Sequence, residues 1–149
     1  MIKPRILLAE DHPLVRDALL GLLGELSEVV GVVGDGQALV EAAQELKPDI
    51  IISDISMPKL NGLDATRALQ HCTPQSKVII LTAYQEPAYP ILALEAGARG
   101  FLLKSTALHA ELPRALLHVL AGDRYIGHGV KVELVPVGGD RVPMQLSEV

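Results

Sequence analysis

Five short apolar runs punctuate the chain, and segments of helical periodicity lie between them. Arg5 to Ala9, Val29 to Val33, Ile50 to Ser53, Val78 to Thr82 and Gly100 to Leu103 are each too continuous for a half-exposed strand and read as strands buried on both faces. Leu14, Ala18, Leu19, Leu22, Leu23 and Leu26 recur at helical spacing, as do Leu39, Ala42, Ala43 and Leu46, then Leu63, Thr66 and Leu69. Leu92 to Ala96 and Leu112 to Leu120 supply a fourth and a fifth helix.

Strand and helix alternating five times predict an α/β fold, a doubly wound parallel sheet with helices on both faces, because parallel neighbours need long right-handed crossovers. Ligands of such sheets bind beyond the carboxyl ends of the strands. That edge is where the polar residues fall: Glu10 and Asp11 follow the first strand, Asp54 ends the third, Thr82 ends the fourth and Lys104 follows the fifth. Each alone fits an ordinary role, Glu10 or Asp11 as a helix cap, Thr82 as a strand end, Lys104 as a solvated charge. Their placement together on successive strand ends is what points to a site.

Three carboxylates in one cleft repel one another unless a cation lies between them. An all-oxygen ligand set suits Mg²⁺ better than zinc. Asp54 is the candidate nucleophile, since a carboxylate can attack a phosphoryl group when a metal neutralises the incoming charge. Lys104 and Thr82 would hold the phosphoryl oxygens by a charge and a hydroxyl. The stretch DIIISDISMPKLNG fits this: the strand stops so that Asp54 faces solvent, Met57-Pro58 and Asn61-Gly62 turn the chain into the next helix, and the Ser56 carbonyl is freed for the metal.

Composition narrows the classes. A net charge of -5 lacks the basic footprint that gripping nucleic acid requires. The 49% apolar content, with few aromatics, gives one domain an aliphatic core. A single cysteine, Cys72, excludes an internal disulfide and a cysteine zinc cluster, and reads as a structural thiol. Neither a secretion signal nor a membrane-length apolar run occurs, so the expected location is cytoplasmic, with no membrane partner. The five histidines, His12, His71, His109, His118 and His128, are scattered; solvated or capping roles suit them, and none is assigned to a metal.

The segments LLAEDHPLVRDAL, DIIISDISMPKLNGLDA, VIILTAY and EAGARGFLLKS resemble, in that order, the acidic-pair, phosphoacceptor, switch and lysine segments of the receiver domain of bacterial two-component response regulators. EDHPLVR and AGARGFLLK resemble the subfamily whose receivers usually precede a LuxR-type helix-turn-helix domain. The resemblance implies a flavodoxin-like five-stranded sheet of order 2-1-3-4-5. It implies Mg²⁺ bound by Glu10 or Asp11, Asp54 and the Ser56 carbonyl, and phosphorylation of Asp54 by a sensor histidine kinase. Thr82 and Phe101 would be the switch pair, the ring rotating inward behind the hydroxyl, with Tyr84 at the cleft rim tuning the phosphoryl lifetime. It further implies homodimerisation on phosphorylation, and contact with DNA only through an output domain outside this chain. No enzyme activity beyond the protein's own phosphoryl transfer and hydrolysis is expected.

Several departures bear on this. Ser105 stands after Lys104 where many receivers carry proline. Pro87 and Pro90 sit at the start of the fourth helix, and Pro113 near the start of the fifth, where a proline too deep would bend the helix. Past Gly122 the helical period ends, so the expected division is a receiver over 1–122 and a linker or tail over 123–149, with an extended segment or hairpin arm at Val130 to Val137. No helix-turn-helix pattern follows, which fits either part of a longer regulator or a stand-alone receiver. Two other classes compete. A haloacid-dehalogenase-type phosphohydrolase would need a second aspartate where Ser56 stands, and a phosphorylation-independent binding module would not need the full set of polar residues.

Overall fold

The computed structural model describes residues 3–83, 85–105, 108–130, 136–137 and 140–141. Strands β1 (Arg5–Ala9), β2 (Glu28–Val33), β3 (Ile50–Asp54), β4 (Lys77–Thr82) and β5 (Gly100–Leu103) alternate with helices α1 (Pro13–Leu26), α2 (Gly36–Leu46), α3 (Gly62–Cys72), α4 (Ala88–Ala96) and α5 (Leu108–Leu120). All five strands are parallel, in the expected order 2-1-3-4-5.

Period-two alternation divides the core between the two faces. Leu7, Ala9, Ile51 and Phe101 point to α2, α3 and α4, whereas Ile6, Leu8, Ile50, Ile52 and Leu102 point to α1 and α5. The central strands β1 and β3 are buried almost throughout. β2 corrects the expectation that every strand is buried on both faces: it is the sheet edge, mostly half-buried, with Val32 40% exposed. An apolar run cannot distinguish a central strand from an edge one.

Helix starts follow local chemistry. Pro13 occupies the first turn of α1 behind the cap residue His12. Pro87 caps α4 and Pro90 falls in its first turn, where a missing N–H leaves no intrahelical bond unmade. Pro113 lies further inside α5, which runs through it to Leu120. Asn61 caps α3, its side chain accepting from the Asp64 N–H at 2.8 Å. Gly62 then opens the helix where a β-carbon would lie 2.0 Å from the Asp54 carbonyl oxygen, so only glycine fits against the end of β3.

The chain past Gly122, expected mainly as linker, adds to the sheet. Strand β6 (Tyr125–Ile126) pairs parallel with β5, matching Gly100 with Tyr125 and Phe101 with Ile126. Val130 is 2% exposed and belongs to the core cluster that holds Phe101. Neither a helical period nor a long apolar run marks this segment, so pattern alone misses it. Further on, β7 (Pro136–Val137) pairs antiparallel with β8 (Asp140–Arg141); residues 131–135 of the expected arm lie outside the described residues. Among the described residues no helix is long and apolar enough to cross a membrane.

Replacing Gly62 by alanine should lower the unfolding free energy by about 2–3 kcal/mol, as overpacking against fixed backbone does. Urea titration of native and variant chains measures this, and a loss near zero would show that the α3 start is not locked to β3.

Candidate functional site

At the carboxyl edge of the sheet, β3 delivers Asp54 with both carboxylate oxygens engaged. Oδ1 accepts the Ile55 N–H at 2.7 Å and Oδ2 accepts from Lys104 Nζ at 2.9 Å. Asp54 is 8% exposed, which corrects the expectation that it faces solvent: Lys104 reaches over it from the end of β5, past β4.

β1 delivers Glu10, only 1% exposed, and Asp11, which is exposed. Glu10 Oε2 accepts the His12 N–H at 3.2 Å. His12, not either acidic residue, caps α1, its Nδ1 accepting from the Val15 N–H at 3.4 Å. That leaves Glu10 and Asp11 to the cleft. Oxygens of Glu10, Asp11 and Asp54 lie within 4.8 Å of one another. Opposite ligands of an octahedral Mg²⁺ stand about 4.2 Å apart, so small side-chain adjustments would close the set around such an ion.

Lys104 Nζ lies 2.8 Å from Glu10 Oε1 as well as 2.9 Å from Asp54 Oδ2. The Glu10 contact is ionic but misaligned for a hydrogen bond, so this buried oxygen accepts none. The fit to a hard divalent metal comes from the donor chemistry: three carboxylates, one of them exposed, whose oxygens lie close together and offer an all-oxygen set. Burial pulls the Lys104 pKa down, but the contacts and charges of Glu10 and Asp54 outweigh it and leave the ammonium above its ordinary 10.5. The ammonium thus pairs with two of the three carboxylates.

Thr82 ends β4 fully buried, and its carbonyl accepts the Lys104 N–H at 2.8 Å, which ties the two strand ends together. Phe101 is fully buried on the α4 side of the sheet. Ser56 is exposed and, with Asp11, Met57, Pro58 and Asn61, lines an open hollow beside the acidic cluster. Tyr84 lies outside the described residues. Cys72 is exposed at the end of α3, away from the core.

Sequence reasoning allowed the five histidines a solvated or capping role without singling out His12 as the cap, although Pro13 behind it was a readable sign of a helix start. It also passed over Glu111, a 2% exposed carboxylate on α5 that accepts from Tyr125 Oη and the His128 N–H. Its position on the apolar stripe of α5 was the only available sign.

Residues 6–116 match the response regulator receiver domain family. The chain is 38% identical over 132 residues to the response regulator GacA of Pseudomonas viridiflava, covering 87% of this chain and 61% of that protein. It therefore spans less than two thirds of the length of that relative. Among solved structures it is similar to a LuxR-family two-component response regulator from Aurantimonas sp. SI85-9A1, with a TM-score of 0.81, 32% identity and coverage of 86% of this chain and 92% of that one. The signal receiver domain of the response regulator NarL from Mycobacterium tuberculosis gives a TM-score of 0.76 at 33% identity, covering 82% and 99%.

Replacing Lys104 by methionine should cost about 3 kcal/mol near neutral pH, because it strands two buried carboxylates. The charge contribution is complete below the ordinary lysine value of 10.5 and is lost as pH rises through the raised one, so native and variant stabilities should converge in strong alkali. Urea titrations at pH 7 and above pH 11 check both statements, and a difference that stays constant with pH would remove the ion pairs from the account.

Proposed function

Since the chain belongs to the response regulator receiver domain family, we propose that it is a phosphorylation switch in which Asp54 accepts a phosphoryl group from the phosphohistidine of a sensor kinase. A carboxylate oxygen of Asp54 forms the new O–P bond, the donor's P–N bond breaks, and its electron pair returns to the imidazole. The observation that carries this reading is the Asp54 carboxylate at a strand end, held by Lys104 and flanked by Glu10 and Asp11.

Glu10, Asp11, Asp54 and the Ser56 carbonyl are the residues that would hold Mg²⁺, which when bound neutralises charge on the phosphoryl oxygens. Lys104 is freed from Asp54 Oδ2 to pair with a phosphoryl oxygen, and the Thr82 hydroxyl hydrogen-bonds another. These new contacts favour one arrangement of β4, β5 and α4 over the other. Phe101 is the second member of the switch pair, and Tyr84 tunes the phosphoryl lifetime at the rim. The chain catalyses only its own phosphoryl transfer and hydrolysis, and acts in the cytoplasm. In a longer regulator, such as the GacA relative, the switched surface would form a homodimer and set the activity of a DNA-binding output domain.

Intact mass after incubation with acetyl phosphate tests the chemistry. A single Mg²⁺-dependent phosphoryl adduct is expected on the native chain and none on Asp54→Asn; an adduct persisting on the variant would overturn the assignment of the nucleophile. Sedimentation of the same samples tests the output: phosphorylated native chain should shift toward dimer, and Lys104→Met should take up phosphoryl yet stay monomeric. A Lys104→Met chain that dimerises like the native one would remove the lysine from the switch.

A further inference from the structure

We infer that Glu111 is a positioning residue for the switch: it docks residues 125–130 onto β5 and Phe101, so that tail docking and phosphorylation of Asp54 favour the same state. The inference rests on the proposed phosphorylation of Asp54 and adds a moving part to it.

The docking begins on the backbone. The Tyr125 N–H donates to Arg99 O and the Gly127 N–H to Phe101 O, each at 2.9 Å, so the segment grips the strand that carries Phe101 and leads into Lys104. On one face of β6, Tyr125 Oη donates to Glu111 Oε2 at 3.1 Å, and the His128 N–H donates to the same oxygen at 2.8 Å. On the other face, Val130 enters the cluster around Phe101, and with Gly129 it borders a narrow gap that Phe101, Leu103, Glu86 and Pro90 also line. Gly127 runs so close to β5 and α5 that a β-carbon there would lie 2.9 Å from Leu102 Cδ2 and 3.1 Å from Glu111 Oε1.

A buried carboxylate is a poor choice for a permanent joint. An apolar side chain of similar volume would hold an edge strand at least as well without the cost of desolvating a charge. Among the described residues no ion pair to Glu111 offsets that cost. The carboxylate is satisfied by tail donors when the segment is docked and by water when it is lifted, which keeps both states accessible. Burial and the Glu111 charge also raise the Tyr125 pKa, so its hydroxyl remains a donor across the neutral range.

The sign of the coupling follows from Phe101. Val130 packs in the same cluster as this ring, and the docked tail leaves only a narrow gap beside it, so docking bars the ring from swinging out to solvent, whereas phosphorylation favours the inward ring in the reading above. Docking therefore stabilises the phosphorylated arrangement, and linkage requires the converse by the same factor.

The test uses the whole chain, Mg²⁺ and beryllofluoride as a phosphoryl analogue. Beryllofluoride should slow hydrogen exchange at the Tyr125, Gly127 and His128 amides by about fivefold, and Glu111→Ala should weaken beryllofluoride binding in calorimetry by a similar factor. Tyr125→Phe, which removes one hydroxyl, should shift both readings the same way and more weakly; Glu111→Gln, which keeps an acceptor, should restore most of the effect. A residue that merely supports the fold would change exchange in both states and leave the affinity alone. Binding to the native chain with unchanged or faster exchange at those amides overturns the inference while leaving phosphorylation intact. No beryllofluoride binding and no acetyl phosphate adduct would overturn both readings.

Discussion

An ammonium held between two carboxylates governs the edge of this sheet. Lys104 reaches from the end of β5 to Asp54 on β3 and Glu10 on β1, so one charge closes the gap across three strand ends. Taking three charges out of water is costly, and their mutual proximity offsets it together with the Ile55 and His12 N–H donors. The arrangement is therefore stable without being satisfied: one Glu10 oxygen still lacks a directed donor. An incoming dianion and a divalent cation would redistribute these contacts without adding net repulsion. A cleft whose charges are already paired and yet would rearrange around new ones suits a two-state element.

The backbone around Asp54 is built so that such rearrangement stays local. Asn61 fixes the start of α3, and Gly62 brings that helix against the Asp54 carbonyl more closely than any side chain would permit. Asp54 thus sits on a rigid floor formed by β3 and α3. The side that would respond to new charge is that of β4 and β5, where a backbone hydrogen bond joins Thr82 to Lys104, whose ammonium is the mobile end of the ion pairs. Rigidity on one side and latitude on the other give the charge change a direction.

Most of this could be read from the residues, and the misses share a cause. Strand runs such as Ile50 to Ser53 and the positions of Glu10, Asp54, Thr82 and Lys104 followed from periodicity, because a doubly wound sheet sends all its strand ends to one edge. What periodicity does not carry is the third dimension of a side chain. Nothing in the run Val29 to Val33 told that β2 is an edge, and nothing around Asp54 told that Lys104 would cover it. Two-residue strands have no period at all, so Tyr125–Ile126 looked like linker; only the unexpected carboxylate on the buried stripe of α5 hinted that something polar had to meet it.

The place of β6 in the order of synthesis gives it a further consequence. It is made after every other strand of the main sheet, and until residue 130 has emerged β5 remains an open edge, with the Phe101 carbonyl unpaired and Glu111 without its donors. A chain growing from its N-terminus can assemble β1 to β5 and still lack the closure of its last face. Folding of the switch would then finish only as the next stretch of polypeptide arrives, so that the domain is completed by the very segment that leads out of it.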